Sequence, residues 1–247
     1  MDILRPDLIP VEPVETDQMR AIQTTVRELA IFADETPDRI PPAADSVTVG
    51  IDQAFSDERV ISAAVAVRNG EILERAVGVR PVTMPYVPGF LAFREAPAIA
   101  AAIKSLTVEP DLLLVDGNGR LHPRFAGLAT HVGVAVDCPT VGVAKSLLCG
   151  TLRDGPDPPY QEGTRIPIVT DASFEVGVPA GTVLGYAVQT RQWDRSGRTI
   201  NPVYASPGHR VGPDTAAAAT IAACAGYKLP EPIRLADQLA GERAAET

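Results

Sequence analysis

The sequence predicts an α/β fold: one mixed sheet, in which a three-strand antiparallel meander is followed by parallel strands, flanked by helices. Two observations predict it. Three strand-like segments, Ser46–Ile51, Val60–Val67 and Ile72–Val79, follow one another with short connections, and Arg68-Asn69-Gly70 is a turn signal between the second and third. After them, short apolar runs alternate with helical patterns, the order that builds a sheet with helices on its faces. The 247 residues suit one large domain.

The elements follow in chain order. Residues 1–16 are acidic and proline-rich and read as a poorly ordered arm; residues 17–243 read as a single domain. Residues 17–35 place Met19, Ile22, Val26, Leu29 and Ile31 or Phe32 at helical spacing. Beyond the meander, the alanine-rich segment Glu95 to Leu106 predicts a helix with Pro97 in its first turn, where proline is tolerated. Asp111–Val115 is a continuous apolar run, as expected of a strand covered on both faces. A helix is predicted over Ala126–Val136 and a short strand over Thr140–Ala144. Residues 151–164, rich in Gly, Pro and Asp, read as a surface loop. Strands at Thr182–Gln189 and Pro202–Ser206 and helices at Thr215–Ala225 and Ile233–Ala240 complete the chain.

Composition limits the function classes. Hydrophobic residues make up 45% of the chain, enough for a sizeable core. It contains no apolar run of about 18 residues, so no membrane span is expected. The acidic start lacks the basic and apolar parts of a secretory signal. Cys138, Cys149 and Cys224 lack metal-ligand spacing, and reduced thiols in a cytoplasmic protein are expected. The 31 acidic against 22 basic residues give a net charge of -9, which counts against a nucleic-acid partner. Net charge does not describe a local surface, however, and acids around a metal ion reverse the local field.

Several residues carry candidate chemistry. Asp52 and Asp116 each read as the end of an apolar strand. One such acid ordinarily caps a loop or meets an arginine; two in one sheet make a shared cation attractive, because hard cations take carboxylate oxygens. Glu95 suits a helix's first turn as well as a catalytic role. Asp237 lies four residues after Ile233 and three before Ala240, beside the buried side of its helix, although a surface position fits the pattern equally. The stretch from Asp116 through Gly117, Asn118, Gly119 and His122 to Arg124 combines glycines that let backbone approach a ligand with an acid, a histidine and two arginines. Met84 to Phe90 holds Tyr86 between Pro85 and Pro88-Gly89, either a packed loop or a stiff one presenting its ring to stacked bases. Lys145, one of three lysines, follows a strand and either binds phosphate or reaches solvent. His131 reads as packing, His209 as a loop residue or one that reaches the site, and Asp214 as a helix-start acid.

Together these residues resemble the endonuclease V family. The resemblance rests on Gly50-Ile51-Asp52, on Met84 to Leu91 with Phe93-Arg94-Glu95, and on Val115 to Gly119 with His122-Pro123-Arg124. It continues in Val141 to Lys145, Pro207-Gly208-His209-Arg210 and Leu229 to Pro232 with Arg234 to Asp237, six blocks in order over about residues 17–243. It implies a ribonuclease H-like fold and a DNA repair endonuclease. The implied cut is at the second phosphodiester 3′ to deoxyinosine or another deaminated base, leaving 3′-hydroxyl and 5′-phosphate ends. An inosine-specific endoribonuclease with the same site is the alternative. Asp52 and Asp116 would bind magnesium or manganese, Glu95 would complete the acidic centre, and Asp237 would add a further acid. Tyr86 would wedge the duplex, Lys145 and His122 would lie near the scissile phosphate, and Gly117 with Pro88-Gly89 would line the base pocket. Asn118 receives no catalytic role. A monomer is expected. Two rivals from other classes are a non-catalytic nucleic-acid module and a hydrolase of small phosphorylated metabolites.

Overall fold

The computed structural model describes residues 1–41, 43, 45–56, 58–192 and 200–246. Helix α1 (Thr16–Leu29) precedes the meander β1 (Thr48–Ser56), β2 (Arg59–Arg68) and β3 (Glu71–Pro81). Helix α2 (Leu91–Lys104) leads to β4 (Leu112–Asp116), α3 (Leu128–Val136) and β5 (Thr140–Ala144). Then come β6 (Thr151–Leu152), β7 (Arg165–Val169), β8 (Val183–Val188), β9 (Val203–His209), α4 (Pro213–Ala222) and α5 (Glu231–Ala245).

Among the described residues nine strands form one sheet, in the order β3-β2-β1-β4-β5-β9-β8-β7-β6. The meander is antiparallel, and β1, β4 and β5 run parallel to one another. The parallel strands expected after the meander are β4 and β5, and the strands beyond β5 are antiparallel. No helix lies between β5 and β8 among the described residues, and an antiparallel pair needs no helical crossover. Strand β7 escapes a pattern reading because Pro167 interrupts it, although Ile166 and Ile168 are buried. The loop predicted over 151–164 begins as the edge strand β6.

The apolar runs are buried on both faces because side chains alternate along a strand. Val49, Ile51, Leu113 and Val115 join Ile99, Ile103 and Val132 from α2 and α3 on one side. Leu112, Leu114, Val141 and Val143 join Ala216, Ala217 and Ile233 from α4 and α5 on the other. Gly50 permits the close approach of α5: a Cβ there would stand 2.0 Å from the carbonyl carbon of Pro232. Helix α2 begins at Leu91, so Pro97 is its seventh residue and not in its first turn. Residues 1–16, expected as a loose arm, lie along the domain. Leu8 and Ile9 are buried, and the Arg5 N–H donates to the Ala135 carbonyl at 3.0 Å. Their apolar side chains supply burial that a proline-rich, acidic composition hides. No helix among the described residues is long and apolar enough to cross a membrane.

Candidate active site

Strand register builds the acidic centre. Ile51 pairs with Val115, so Asp52 and Asp116, the next residues on neighbouring parallel strands, stand at one level. Asp116 pairs with Val143 on β5, and Lys145 follows two residues later. Alternation then turns all three side chains to the face covered by α5. Asp52 does not end its strand, as the pattern suggested: β1 continues to Ser56 because β2 still pairs with it, Asp52 opposite Ala63. The Lys145 ammonium lies 2.6 Å from Asp116 Oδ2, 3.9 Å from Asp52 Oδ2 and 4.0 Å from Asp237 Oδ1. Asp237 reaches this point from α5 with a side chain that is 58% exposed, so it lies on the open side of the site. Glu95 is buried on α2 and sits close enough to Asp116 for the two charges to interact.

Asp52 and Glu95 are held out of water. Burial first, then the neighbouring Asp116 charge, pushes the Asp52 pKa up to about 9, against the opposing pull of Lys145 and of the Gln53 N–H. Burial also raises Glu95 to about 7, with Arg94 opposing and Asp116 adding to the rise. Burial works against the Lys145 ammonium, but its bond to Asp116 and the charges of Asp116, Asp52 and Asp237 outweigh it and raise its pKa. Asp52 Oδ1 accepts from the Gln53 N–H at 2.7 Å, while Oδ2 is buried with no hydrogen-bond partner. Such an oxygen is costly unless a cation meets it. Among the described residues no group of three or more His, Cys, Asp or Glu side chains stands ready to enclose a metal ion. Magnesium needs no such cage, since it usually takes one or two carboxylates and keeps water and phosphate as its other ligands. The oxygen donors Asp52 and Asp116, one with an atom that lacks a hydrogen bond, fit that requirement.

A second group of residues surrounds the loop before α2. Tyr86 is 62% exposed at the outside of this loop and Pro88 is exposed beside it. Gly89 has φ +80°, a backbone conformation that side chains disfavour. Its carbonyl accepts from His122 Nε2 at 3.1 Å, while His122 Nδ1 accepts the Arg124 N–H at 3.2 Å. Both ring nitrogens are thereby occupied and the imidazole is buried. Burial, followed by the Arg124 charge, lowers its pKa to about 4, so it is neutral at pH 7. His122 therefore fastens the loop from within, where the resemblance had placed it near a phosphate. The Gly117 N–H bonds the Val143 carbonyl at 3.2 Å, holding the turn after Asp116 over β5.

This arrangement has close counterparts. The Endonuclease V family profile matches residues 33–238. Endonuclease V of Halobacterium salinarum is 50% identical over 264 aligned positions, 98% of this chain and 99% of that protein. The chain belongs to the endonuclease V family. The crystal structure of Endonuclease V from Streptomyces avermitilis superposes with a TM-score of 0.80 at 34% identity, covering 96% of this chain and 97% of the other. The catalytic domain of human Endonuclease V gives 0.78 at 32% identity, over 95% and 98%. Membership makes the protein a nuclease, a hydrolase acting on DNA, with the ribonuclease H-like fold.

The structure joins Asp52, Asp116, Asp237 and Lys145 at one point, with Glu95 on the adjoining helix. Tyr86, Pro88, Gly89 and His122 form the separate loop group. His131 packs edge-on against Phe93 and His209 bonds Asp137 at 3.1 Å. His209 pairs with Thr140, at the end of β5 away from Lys145, so it does not reach the acidic centre. Asp214 lies in the first turn of α4 and accepts the Tyr186 hydroxyl. The three cysteines are free. Gln23 and Glu175 were not singled out from the sequence. Gln23 carried a legible signal, a polar residue between Met19 and Val26 on the buried stripe of α1. Glu175 carried none, because only folding brings it to Arg124.

Proposed function

We propose that this protein uses a carboxylate-held divalent cation to cut a DNA strand at the second phosphodiester 3′ to deoxyinosine or another deaminated base, leaving 3′-hydroxyl and 5′-phosphate ends. The observation that carries the reading is the convergence of Asp52 and Asp116, with Asp52 Oδ2 buried without a hydrogen bond, beside the Lys145 ammonium.

Asp52 and Asp116 would hold magnesium, with manganese able to substitute, and Glu95 and Asp237 would complete the acidic surround. A cation bound there supplies charge neutralisation at the phosphate and lowers the pKa of water. Glu95, with its pKa near 7, is suited to take the proton of the attacking water. The Lys145 ammonium offsets negative charge on the phosphate in its passage to the transition state. A deaminated base pairs poorly, so its extrusion costs less than that of a normal base. Tyr86 would fill the gap it leaves, and the extruded base would lie against Gly117 and the Pro88-Gly89 turn. The protein would act as a monomer in the cytoplasm.

A duplex with a single inosine, incubated with magnesium, manganese or a chelator, tests this. Cleavage at the second bond with either metal and none with chelator is expected. Asp52→Asn and Asp116→Asn should each abolish cutting without unfolding the chain, and full activity in either would sink the assignment. Tyr86→Ala should lower the preference for inosine over adenine more than it lowers metal binding. A matched RNA strand in the same assay decides between DNA and RNA as the substrate.

A further inference from the structure

Three donors meet on one oxygen of the loop that carries Tyr86. The Gly89 carbonyl accepts from Gln23 Nε2 at 2.7 Å, from Arg124 Nη2 at 2.8 Å and from His122 Nε2 at 3.1 Å. A carbonyl oxygen has two lone pairs, so this acceptor is saturated. The donors are themselves immobilised. Arg124 Nε donates to Gln23 Oε1 at 2.6 Å and Nη1 to Glu175 Oε1 at 2.6 Å, and the guanidinium lies 4.7 Å from the centre of the Phe90 ring. Glu175 also meets Arg20 of α1 at 3.3 Å. Gln23 is 1% exposed, and these partners offset its amide's loss of water.

The chain positions of these groups give the contact a meaning. Gly89 lies three residues beyond Tyr86, and Arg124 lies eight residues beyond Asp116. The segment leaving the acidic end of β4 thus grips the base of the loop whose exposed ring faces outward. A satisfied buried polar network selects a single geometry, which apolar packing does less strictly.

We propose that Gln23 and Arg124 are positioning residues that fix the Tyr86 loop relative to the acidic centre, and so set discrimination for a deaminated base in a duplex without taking part in phosphodiester cleavage. The proposal rests on the wedge reading of Tyr86 given above. A stacked base must be opened only in a duplex, so a single-stranded inosine oligonucleotide bypasses the wedge step while it still meets the Pro88-Gly89 turn.

Gln23→Met and Arg124→Lys test the proposal on matched inosine duplex and single strand under single-turnover conditions with magnesium. A small misplacement far from the chemistry can cost on the order of a hundredfold. Duplex cleavage should fall about tenfold more than single-strand cleavage does. A 2-aminopurine beside the inosine should brighten less on binding in chelator, because less of the duplex is opened. Equal losses on both substrates, as a purely structural role would give, overturn the proposal, and so does an undiminished duplex rate. If Gln23→Met does not fold, Arg124→Lys carries the test, since it keeps the charge and loses the fork geometry. Wild-type protein that cuts neither substrate overturns the proposed function itself, and with it the wedge on which this inference rests.

Discussion

The Lys145 ammonium stands 2.6 Å from Asp116 Oδ2, one residue beyond the end of β5 and at the end of its neighbour β4. It is the cation around which Asp52, Asp116 and Asp237 are arranged, and it competes with any divalent ion for the same oxygens. Lys145→Met is therefore expected to bind magnesium at least as tightly as the native protein in calorimetry. The same variant should cleave on the order of a hundredfold more slowly, because the charge that helps the phosphate is gone. An unchanged cleavage rate would remove Lys145 from the chemistry.

Asp52 makes stability depend on pH in the metal-free protein. Its pKa rises from 3.8 to about 9 on folding, so the folded state binds more protons than the unfolded one between those values. Its contribution to stability is fully present below the unfolded pKa and is lost as pH rises through the folded one. In chelator, the melting temperature should fall with rising pH across this window. Asp52→Asn should flatten the fall and melt several degrees higher at alkaline pH while cutting nothing. A variant that melts no higher there would contradict the buried-charge account.

His122 has the opposite sign. Its pKa falls to about 4, so the unfolded state takes up the proton first as the solution is acidified. Stability from this group is lost as pH drops from the ordinary histidine range towards that value. Proton NMR of the imidazole should show a neutral ring with Nε2 protonated at pH 6. A titration near the ordinary value would mean that the ring is not clamped between the Gly89 carbonyl and the Arg124 N–H.

Gly50 is where α5 meets β1. A methyl group at this position would lie 2.0 Å from the carbonyl carbon of Pro232, and backbone cannot rotate away as a side chain can. Gly50→Ala should cost about 1–3 kcal/mol or more by overpacking. That corresponds to a melting temperature lower by at least about 2–4 °C. Cleavage should fall as well, since Asp237 travels with the helix. A native melting temperature would show that α5 is not seated against this glycine.

Much of this was legible in the residues themselves. The meander followed from Arg68-Asn69-Gly70 and its flanking strands, and the buried β4 and β5 from runs without polar alternation. The motif blocks around Asp52, Glu95, Asp116 and Lys145 pointed to the family that the comparisons show. Strand β7 was hidden by Pro167. The true start of α2 was hidden because Leu91 to Arg94 carries no capping residue; Phe90 stands at the cap without a side-chain bond.

The sequence by itself determined which side chains were available for chemistry and which segments would be strands or helices, because those depend on residue type and local period. Only the tertiary structure decided that Asp52 and Asp116 share a level and a face, that α5 swings Asp237 to the open side, and that His122 turns inward to grip Gly89. The physical reason is that a side chain's direction depends on pairing register and on neighbours distant in the chain. A shift of one residue in the β1–β4 register would send one carboxylate to the opposite face of the sheet.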